Sequence, residues 1–281
     1  MNTKLIMIEG LPGSGKSTVA QMVSEILSEQ GKQVLLFQEG DPEHPADHES
    51  VSFYKGDEFA HLLSRYEKYA ELLENRAMKY HSDFLLPYQK IKNEQEVDFP
   101  DELWHELSQK DIYELPFEQN MEIVTHKWND FQRESIHTDS IFVFECCFMQ
   151  NPLTVGTVKY NRDKKEVVNY VLQLENSIKP LEPLLIYIDQ QNIGSVFEKA
   201  VQERPKTWSD GFIKYYTEQG FGKVQGYNGL EGTIQVLHER KNIELEIFDL
   251  LSINKRKIDN SYYNMEKCRE EIRGILGALV F

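Results

Sequence analysis

One eight-residue stretch near the start of the chain constrains its fold more than any other feature. Residues 10–17 fit the pattern G-x-x-x-x-G-K-[ST] at every fixed position, and a threonine follows. The stretch and this threonine comprise Gly10, Leu11, Pro12, Gly13, Ser14, Gly15, Lys16, Ser17 and Thr18. Glycines at these positions let backbone N–H groups converge on phosphate oxygens at the positive end of a following helix. The pattern predicts a phosphate-binding loop (P-loop), with Lys16 on the β- and γ-phosphates and Ser17 on Mg²⁺.

The residues on both sides of this loop have the patterns that such a loop requires. Leu5–Ile8 is a continuous apolar run, typical of a strand buried on both faces. From Ser17 onward apolar residues recur at helical spacing, and Gly31 follows as a helix stop. Val34–Phe37 is a second apolar strand. Together these elements predict a right-handed strand–helix–strand unit that binds a nucleotide.

Strand-like and helical patterns continue to alternate in the second half of the chain. Strands are predicted at Ile141–Phe144, at Leu184–Ile188 and around Glu244–Leu250, with helices between and after them. Five strands alternating with helices predict a parallel sheet that is covered on both faces. The predicted fold class is therefore α/β, a P-loop three-layer α/β/α architecture with a five-stranded parallel sheet.

A long segment interrupts the predicted sheet between its second and third strands. Apolar spacing predicts one long helix over Phe59–Ala77 and another over Phe117–Phe131. The first of these apolar stripes fits either a core helix or the face of a homodimer. The expected organisation is a single P-loop NTPase domain, 1–281, with a core, 1–41 and 141–281, and a large helical, acidic insertion, 42–140.

The formal net charge of −15 is concentrated in that insertion, which has 22 acidic and ten basic residues. A protein that binds nucleic acid without reading sequence needs the opposite sign, so no nucleic-acid partner is expected. Three cysteines, two of them adjacent, cannot form a disulfide framework and indicate a reducing compartment. No apolar stretch reaches the length of a signal-peptide core or a membrane span, so we expect a cytoplasmic protein without membrane contact.

Acidic residues follow the predicted strands, at the edge where ligands of open α/β sheets bind. Glu39 and Asp41 follow the second strand, Glu145 the third and Asp189 the fourth. Glu145 is placed to approach Mg²⁺ or its water shell, so the predicted metal site consists of Ser17 and Glu145. Glu39 or Asp41 can orient an acceptor hydroxyl and take its proton. Helix capping and solubility are the ordinary alternative reasons for such acids.

The chain resembles the deoxyribonucleoside kinase and thymidylate kinase group over residues 1–42. The resemblance rests on the run Ile8–Gly10, the loop Gly13–Thr18, and Glu39 and Pro42 after the second strand. It implies a five-stranded parallel sheet, ATP and Mg²⁺, phosphoryl transfer to a small acceptor, and the role of base for Glu39. The family has an arginine directly after the acid of its third strand, where this chain has Cys146.

The segment from Arg204 to Gly226 is a candidate lid, since an arginine is followed by aromatic residues and glycines. A mobile lid would bring Arg204 onto the transferring phosphoryl group, whereas the alternative is a helix end and an ordered loop. His44 and His48 have side chains of the kind that bind metals. They lack a third partner, which favours a loop position near the acceptor over a metal site.

Two functions fit these observations. The first is an ATP- and Mg²⁺-dependent kinase for a hydroxyl of a small molecule, with nucleoside-like acceptors among the candidates. Its catalytic residues are expected to be Lys16, Glu39 and Arg204, and the acidic insertion favours an acceptor that is not a phosphate. The alternative is an ATP-switched regulatory protein whose acidic insertion docks a protein partner. The chain has no N-K-x-D guanine motif and no transporter-type Ser-Gly-Gly signature, which speaks against signalling GTPases and transport ATPases.

Overall fold

A five-stranded parallel sheet organises the fold, which confirms the predicted α/β class. The structure is a computed structural model that describes residues 2–280, and this range contains eight strands. They are β1 (Leu5–Glu9), β2 (Val34–Phe37), β3 (Val51–Tyr54), β4 (Met78–Tyr80), β5 (Asp83–Pro87), β6 (Ile141–Glu145), β7 (Leu184–Asp189) and β8 (Asn254–Asp259). The large sheet has the order β2-β6-β1-β7-β8, and every neighbouring pair in it is parallel.

Helices connect these strands. They are α1 (Lys16–Glu29), α2 (Gly56–Arg65), α3 (Glu67–Arg76), α4 (Tyr88–Gln95), α5 (Asp101–Gln109), α6 (Phe117–Ser135), α7 (Gln150–Leu153), α8 (Lys164–Ile178), α9 (Ile193–Glu203), α10 (Lys206–Thr217), α11 (Gly220–Val224), α12 (Gly229–Leu250) and α13 (Met265–Gly277). A π-helical turn, Thr154–Lys159, follows α7, and two short 3₁₀ turns cover Ile112–Glu114 and Lys179–Leu181. Within residues 2–280, no helix combines the length and the apolar character needed to cross a bilayer.

Helices cover both faces of the large sheet. On one face, α1 and α13 pack against alternate residues of β1, β6 and β7 in a continuous apolar cluster. On the other face, Phe131 of α6 lies against Phe142 of β6 with 5.0 Å between ring centroids, and Tyr187 of β7 donates a hydrogen bond to Glu244 of α12 at 2.7 Å. Because β1 and β6 are buried on both faces, all of their residues are shielded from solvent. This double burial explains the unbroken apolar runs in the sequence.

The fifth strand was predicted in the wrong place. Residues 244–250 form the end of helix α12, and the strand beside β7 is β8, Asn254–Asp259. Val236, Ile243 and Ile247 are buried at helical spacing in α12, so the apolar run near its end belongs to a helical stripe. Strand β8 lies at the edge of the sheet and buries only Ile258, which leaves its other positions to polar and charged residues.

The inserted segment contains a small sheet as well as helices. Contacts divide the chain into a main unit, up to Glu39 and from Trp128 onward, and an inserted unit, Gly40–Lys127. The inserted unit ends at Lys127 and not at the predicted residue 140, because the last turns of α6 belong with the main unit. The inserted unit has an antiparallel sheet in the order β3-β5-β4, which the apolar spacing did not reveal. The single helix predicted over Phe59–Ala77 is two helices, α2 and α3, interrupted at Tyr66, whose φ is −116° and ψ is 53°.

Candidate active site

The glycine-lysine loop connects the end of β1 to the start of α1. Gly10, Gly13 and Gly15 have φ values of 145°, 82° and 96°, a region that residues with a side chain rarely adopt. A Cβ at Gly15 would also lie only 2.7 Å from the Nδ2 atom of Asn260. Helix α1 has no side-chain cap and no acidic residue in its first turn. The N–H groups that begin this helix therefore remain available to an anion, at its positive end.

Side chains from the ends of two neighbouring strands hold the loop in place. After β8, the Nδ2 atom of Asn260 donates to the Ser14 carbonyl at 2.9 Å, and the Tyr263 hydroxyl donates to the Gly13 carbonyl at 2.9 Å. After β7, the Nε2 atom of Gln190 reaches the same Ser14 carbonyl at 3.3 Å. These bonds engage carbonyl groups of the loop and leave the N–H groups at the start of α1 uninvolved.

Lys16 is buried at the base of the loop, and its Nζ atom donates to the Leu11 carbonyl at 3.2 Å. Burial by itself lowers the pKa of Lys16, but neighbouring acidic groups, among them the carboxylates of Glu39 and Glu145, outweigh burial, so the net effect raises this pKa. The ammonium group is therefore charged at neutral pH. It is held within reach of the polar residues that follow β2 and β6.

Ser17 and Glu145 lie together although 128 positions separate them in the sequence. The Ser17 hydroxyl donates to the Glu145 carboxylate at 2.5 Å. Possible ligand atoms of Glu145, Glu39 and Cys146 all lie within 4.8 Å of one another, and this is the one such group of three in the part of the chain that the structure describes. A hydroxyl and carboxylates are hard oxygen ligands of the kind that Mg²⁺ prefers, so these residues fit the ion that the sequence predicts.

Glu39 follows β2 and is exposed, yet its carboxylate is held at two points. The Nε2 atom of Gln150 donates to Glu39 Oε1 at 2.5 Å, and the Cys146 thiol lies 3.7 Å from Glu39 Oε2. Burial raises the pKa of the Cys146 thiol well above its usual range, so sulfur is present here as a neutral thiol. The result is an oriented carboxylate beside Glu145 that can accept a proton.

The loop that carries Cys146 and Gln150 is clamped by Glu9, the last residue of β1. Glu9 Oε1 accepts the backbone N–H groups of Phe148 and Met149 at 2.8 and 2.9 Å, and Oε2 accepts that of Gln150 at 3.2 Å. Cys146 has a φ of 67°, and the next residue has a φ of 68°. Such backbone costs about 1–3 kcal/mol per residue and persists only where its surroundings impose it. The clamp supplies this constraint and thereby positions the Gln150 side chain.

A cavity of about 720 Å³ opens beside these residues, within the main unit. Its wall includes Lys16, Glu39, Glu145 and Arg204, all four of which the sequence singles out. Arg204 lies between α9 and α10 and is exposed, with its guanidinium 4.2 Å from the centre of the Trp208 ring. The candidate lid is thus mainly helical, in α10 and α11, and its aromatic residues pack against α12. Sequence reasoning missed these helices because their glycines suggested a loop.

The other candidate residues lie outside this cavity. Asp189 forms an ion pair with Lys241 at 2.7 Å. This ion pair is sufficient to explain an acidic residue at the end of β7, and no bound ligand is needed to account for it. Asp41 belongs to the inserted unit, where its side chain accepts the Glu43 N–H at 2.9 Å. His44 and His48 are buried in the same unit, and burial lowers the pKa of their side chains to about 4 and about 3. Both imidazoles are therefore neutral, and neither belongs to a group of three metal ligands in residues 2–280.

Three residues of the site were not predicted from the sequence. Glu9 lies in the run Ile8–Gly10 on which the family resemblance rests, but no role was predicted for it, although an acid that ends a fully apolar strand is itself a signal of a buried polar contact. Gln150 gives no such signal, since a glutamine at the start of a short helix is ordinary. Arg240 lies in the middle of α12 and forms part of the cavity wall. A single arginine within a helix cannot be assigned to a site before the tertiary structure is known.

Comparison with known families supports the kinase assignment at a coarse level. The sequence model for adenylylsulphate kinase matches residues 2–107, which cover the P-loop and most of the inserted unit. This match indicates a P-loop kinase domain for a small molecule and does not single out the deoxyribonucleoside or thymidylate kinases. No curated protein gives a significant match to the chain.

Proposed function

We propose that this protein is an ATP- and Mg²⁺-dependent kinase that phosphorylates a hydroxyl group of a small molecule. The observation that carries the proposal is the contact between the Ser17 hydroxyl and the Glu145 carboxylate at 2.5 Å, beside the buried Lys16. This meeting of a P-loop residue with the residue that ends β6 supports a site for the terminal phosphates of a nucleotide and their metal ion. The cavity beside them, at about 720 Å³, lies within the usual range for small-molecule sites.

The P-loop binds the ATP phosphates in this proposal. Residues 10–18 present the uncapped start of α1, where N–H groups and the helix dipole favour an anion. Lys16 places a permanent positive charge beside the β- and γ-phosphates. The tethers from Asn260 and Tyr263 keep the loop in its binding conformation before the nucleotide arrives, which lowers the entropic cost of binding.

Ser17 and Glu145 hold the metal ion in this proposal. When bound, Mg²⁺ neutralises charge on the terminal phosphates during transfer. The hydroxyl of Ser17 and the carboxylate of Glu145 provide two oxygen ligands that already lie together, which matches a cation that keeps most of its waters. The raised pKa of nearby Lys16 keeps an ammonium group beside the same carboxylates.

Glu39 acts as the general base toward the acceptor hydroxyl. Its carboxylate is exposed to the cavity, and Gln150 fixes the orientation of one oxygen at 2.5 Å. A carboxylate in this position can accept the hydroxyl proton as the new P–O bond forms. Arg204 lies on the same cavity wall and can stabilise the charge that develops on the transferring group.

The acceptor is tested with a panel of nucleosides, sugars, aminoglycoside-like cations and adenylylsulphate, the last because of the matching family's name. ADP release is measured with each acceptor for the wild-type protein, for Glu39→Gln and for Glu198→Gln. Glu198 is an exposed carboxylate on α9 outside the cavity wall, which makes it the matched control. We expect one acceptor class to stimulate ADP release in the wild type and the control, and Glu39→Gln to lose this stimulation while it still binds ATP.

Two other outcomes would contradict parts of the proposal. Unchanged acceptor-dependent turnover in Glu39→Gln would show that Glu39 is not the base. ADP release that responds only to a macromolecular partner, and to no small molecule, would favour the ATP-switched regulatory protein instead.

A further inference from the structure

Arg240 is a buried arginine in the wall of the nucleotide cavity. It lies in the middle of α12, and its side chain is only 1% exposed. It forms part of the same cavity wall as Lys16, Glu145 and Gln150. The chain has nine arginines, all within the described residues 2–280, and Arg240 is the one among them that is buried. A buried guanidinium at the edge of a ligand cavity requires a physical explanation because charged groups are costly to bury.

Three polar neighbours fix the orientation of this guanidinium. Its Nε atom donates to Glu244 Oε1 at 2.7 Å, and its Nη1 atom donates to the Tyr216 hydroxyl at 2.7 Å and to Thr154 Oγ1 at 3.3 Å. Glu244 also accepts a hydrogen bond from Tyr187 of β7 at 2.7 Å, which ties the network to the sheet. The guanidinium plane is therefore set by contacts to α10, to the π-helical turn and to α12 itself.

The remaining nitrogen of Arg240, Nη2, is buried and has no hydrogen-bond partner among the described residues. Leaving a buried donor unsatisfied costs about 1–3 kcal/mol, and more when the donor is charged. The neighbouring bonds prevent the guanidinium from turning to relieve this cost. An acceptor atom from a ligand would satisfy this donor.

The surroundings of Arg240 indicate which ligand atom this is. Arg240 lines the same cavity as Lys16, and its charge acts on the pKa of both Lys16 and Glu9, which agrees with a position close to the P-loop. Lys16 is the residue expected at the β- and γ-phosphates. A planar guanidinium with a free N–H₂ group matches the geometry of phosphoryl oxygens. Phosphoryl oxygens are also the anionic atoms that are expected next to Lys16.

We propose that Arg240 Nη2 donates a hydrogen bond to an oxygen of the terminal phosphoryl group of bound ATP, an inference that rests on the proposed kinase function. Arg240 then distinguishes ATP from ADP, because ADP has no group at that position. Arg204 is exposed at a helix end, whereas Arg240 is held in place before any ligand binds.

The test compares the binding of AMPPNP, a non-hydrolysable ATP analogue, with that of ADP by isothermal titration calorimetry in the presence of Mg²⁺. Arg240→Lys keeps the positive charge and removes the guanidinium fork. We expect AMPPNP affinity to fall by about tenfold or more, as for a lost hydrogen bond between charged groups, and ADP affinity to change less than about twofold. Arg256→Lys, which alters an exposed arginine on β8, is the matched control and should change neither affinity.

An Arg240→Lys protein that folds and keeps the wild-type ratio of AMPPNP to ADP affinity would overturn the inference. If the variant does not fold, ¹⁵N-arginine spectra of the wild-type protein decide, because the buried guanidinium is recognisable by slow exchange with water. Its signal should shift with AMPPNP and not with ADP, and a spectrum that responds equally to both would also overturn the inference.

A separate control distinguishes this result from a failure of the proposed function. Wild-type protein that binds neither nucleotide, or Lys16→Ala that binds both as well as wild type, would contradict ATP binding at the P-loop itself. If the wild type binds both nucleotides and Lys16→Ala weakens both, the proposed nucleotide site stands and Arg240→Lys alone decides the role of Arg240.

Discussion

The carboxylate of Glu9 should make the stability of this protein depend on pH in a way that one substitution removes. Glu9 is fully buried and accepts three backbone N–H groups from the loop after β6. Burial raises the pKa of Glu9 from 4.5 to about 7, a change that the hydrogen bond from Met149 only partly offsets. The native state therefore binds a proton at this site between about pH 4.5 and pH 7, where the unfolded state does not.

This difference in proton binding has a definite sign and size. Because the pKa of Glu9 is higher in the folded state, its contribution to stability is fully present below pH 4.5 and is lost as the pH rises through about 7. A pKa displacement from 4.5 to about 7 corresponds to about 3 kcal/mol in the free energy of unfolding. Ionisation of Glu9 thus destabilises the fold by roughly this amount at pH 8.

The substitution Glu9→Gln separates this effect from those of other titrating groups. The amide oxygen can still accept the N–H groups of Phe148 and Met149, but the amide N–H₂ faces the N–H of Gln150. Losing that one acceptor costs about 1–3 kcal/mol, so the variant should be less stable than wild type at pH 4.5. The wild type loses about 3 kcal/mol more than the variant as the pH rises to 8, so the two free energies should converge or cross.

Urea denaturation followed by far-UV circular dichroism, from pH 4.5 to pH 8, measures this difference. Other groups with shifted pKa values titrate equally in both proteins, so the difference between the two curves isolates Glu9. A difference that stays constant across the pH range would refute the burial-driven pKa of Glu9.

Further predictions concern the P-loop, the metal site and the core. Gly15→Ala should lower ATP affinity at least about tenfold, since the added Cβ meets Asn260 2.7 Å away at a strained φ; calorimetry showing wild-type affinity would contradict this. Glu145→Gln should raise the Mg²⁺ concentration needed for half-maximal ATP turnover, and Ser17→Ala should do the same, whereas an unchanged Mg²⁺ dependence in both would exclude the proposed metal site. Trp128→Ala removes a fully buried ring and should lower the free energy of unfolding by about 3–5 kcal/mol, and urea denaturation showing a loss under 1 kcal/mol would contradict the packing described.

Local sequence patterns were sufficient for the first two strands and the loop between them. The glycines and Lys16 act through neighbouring backbone, so their meaning is contained in a short stretch of chain. The central strands are buried on both faces, and this burial alone produces the apolar runs seen in the sequence. Glu145 was predicted correctly as the residue that ends β6, because the end of a buried strand is marked by its first charged residue.

The fifth strand shows where such patterns fail. Strand β8 lies at the sheet edge and buries one residue, so it has no apolar run to recognise. The run near the end of α12 suggested a strand because short apolar stretches do not distinguish the two structures. The small sheet of the inserted unit was missed for a similar reason, because its strands have only three to five residues and are too short to give a recognisable apolar pattern.

The sequence by itself determined that this chain has a P-loop, a parallel α/β sheet around it and an acidic inserted segment, because each of these depends on residues close together in the chain. Only the tertiary structure decided which distant residues complete the site. Glu9 clamps a loop more than 130 residues away, Gln150 orients Glu39, and Arg240 reaches the cavity from the middle of a long helix. Their roles come from burial and from hydrogen bonds between residues distant in the chain, which exist only once the elements have packed together.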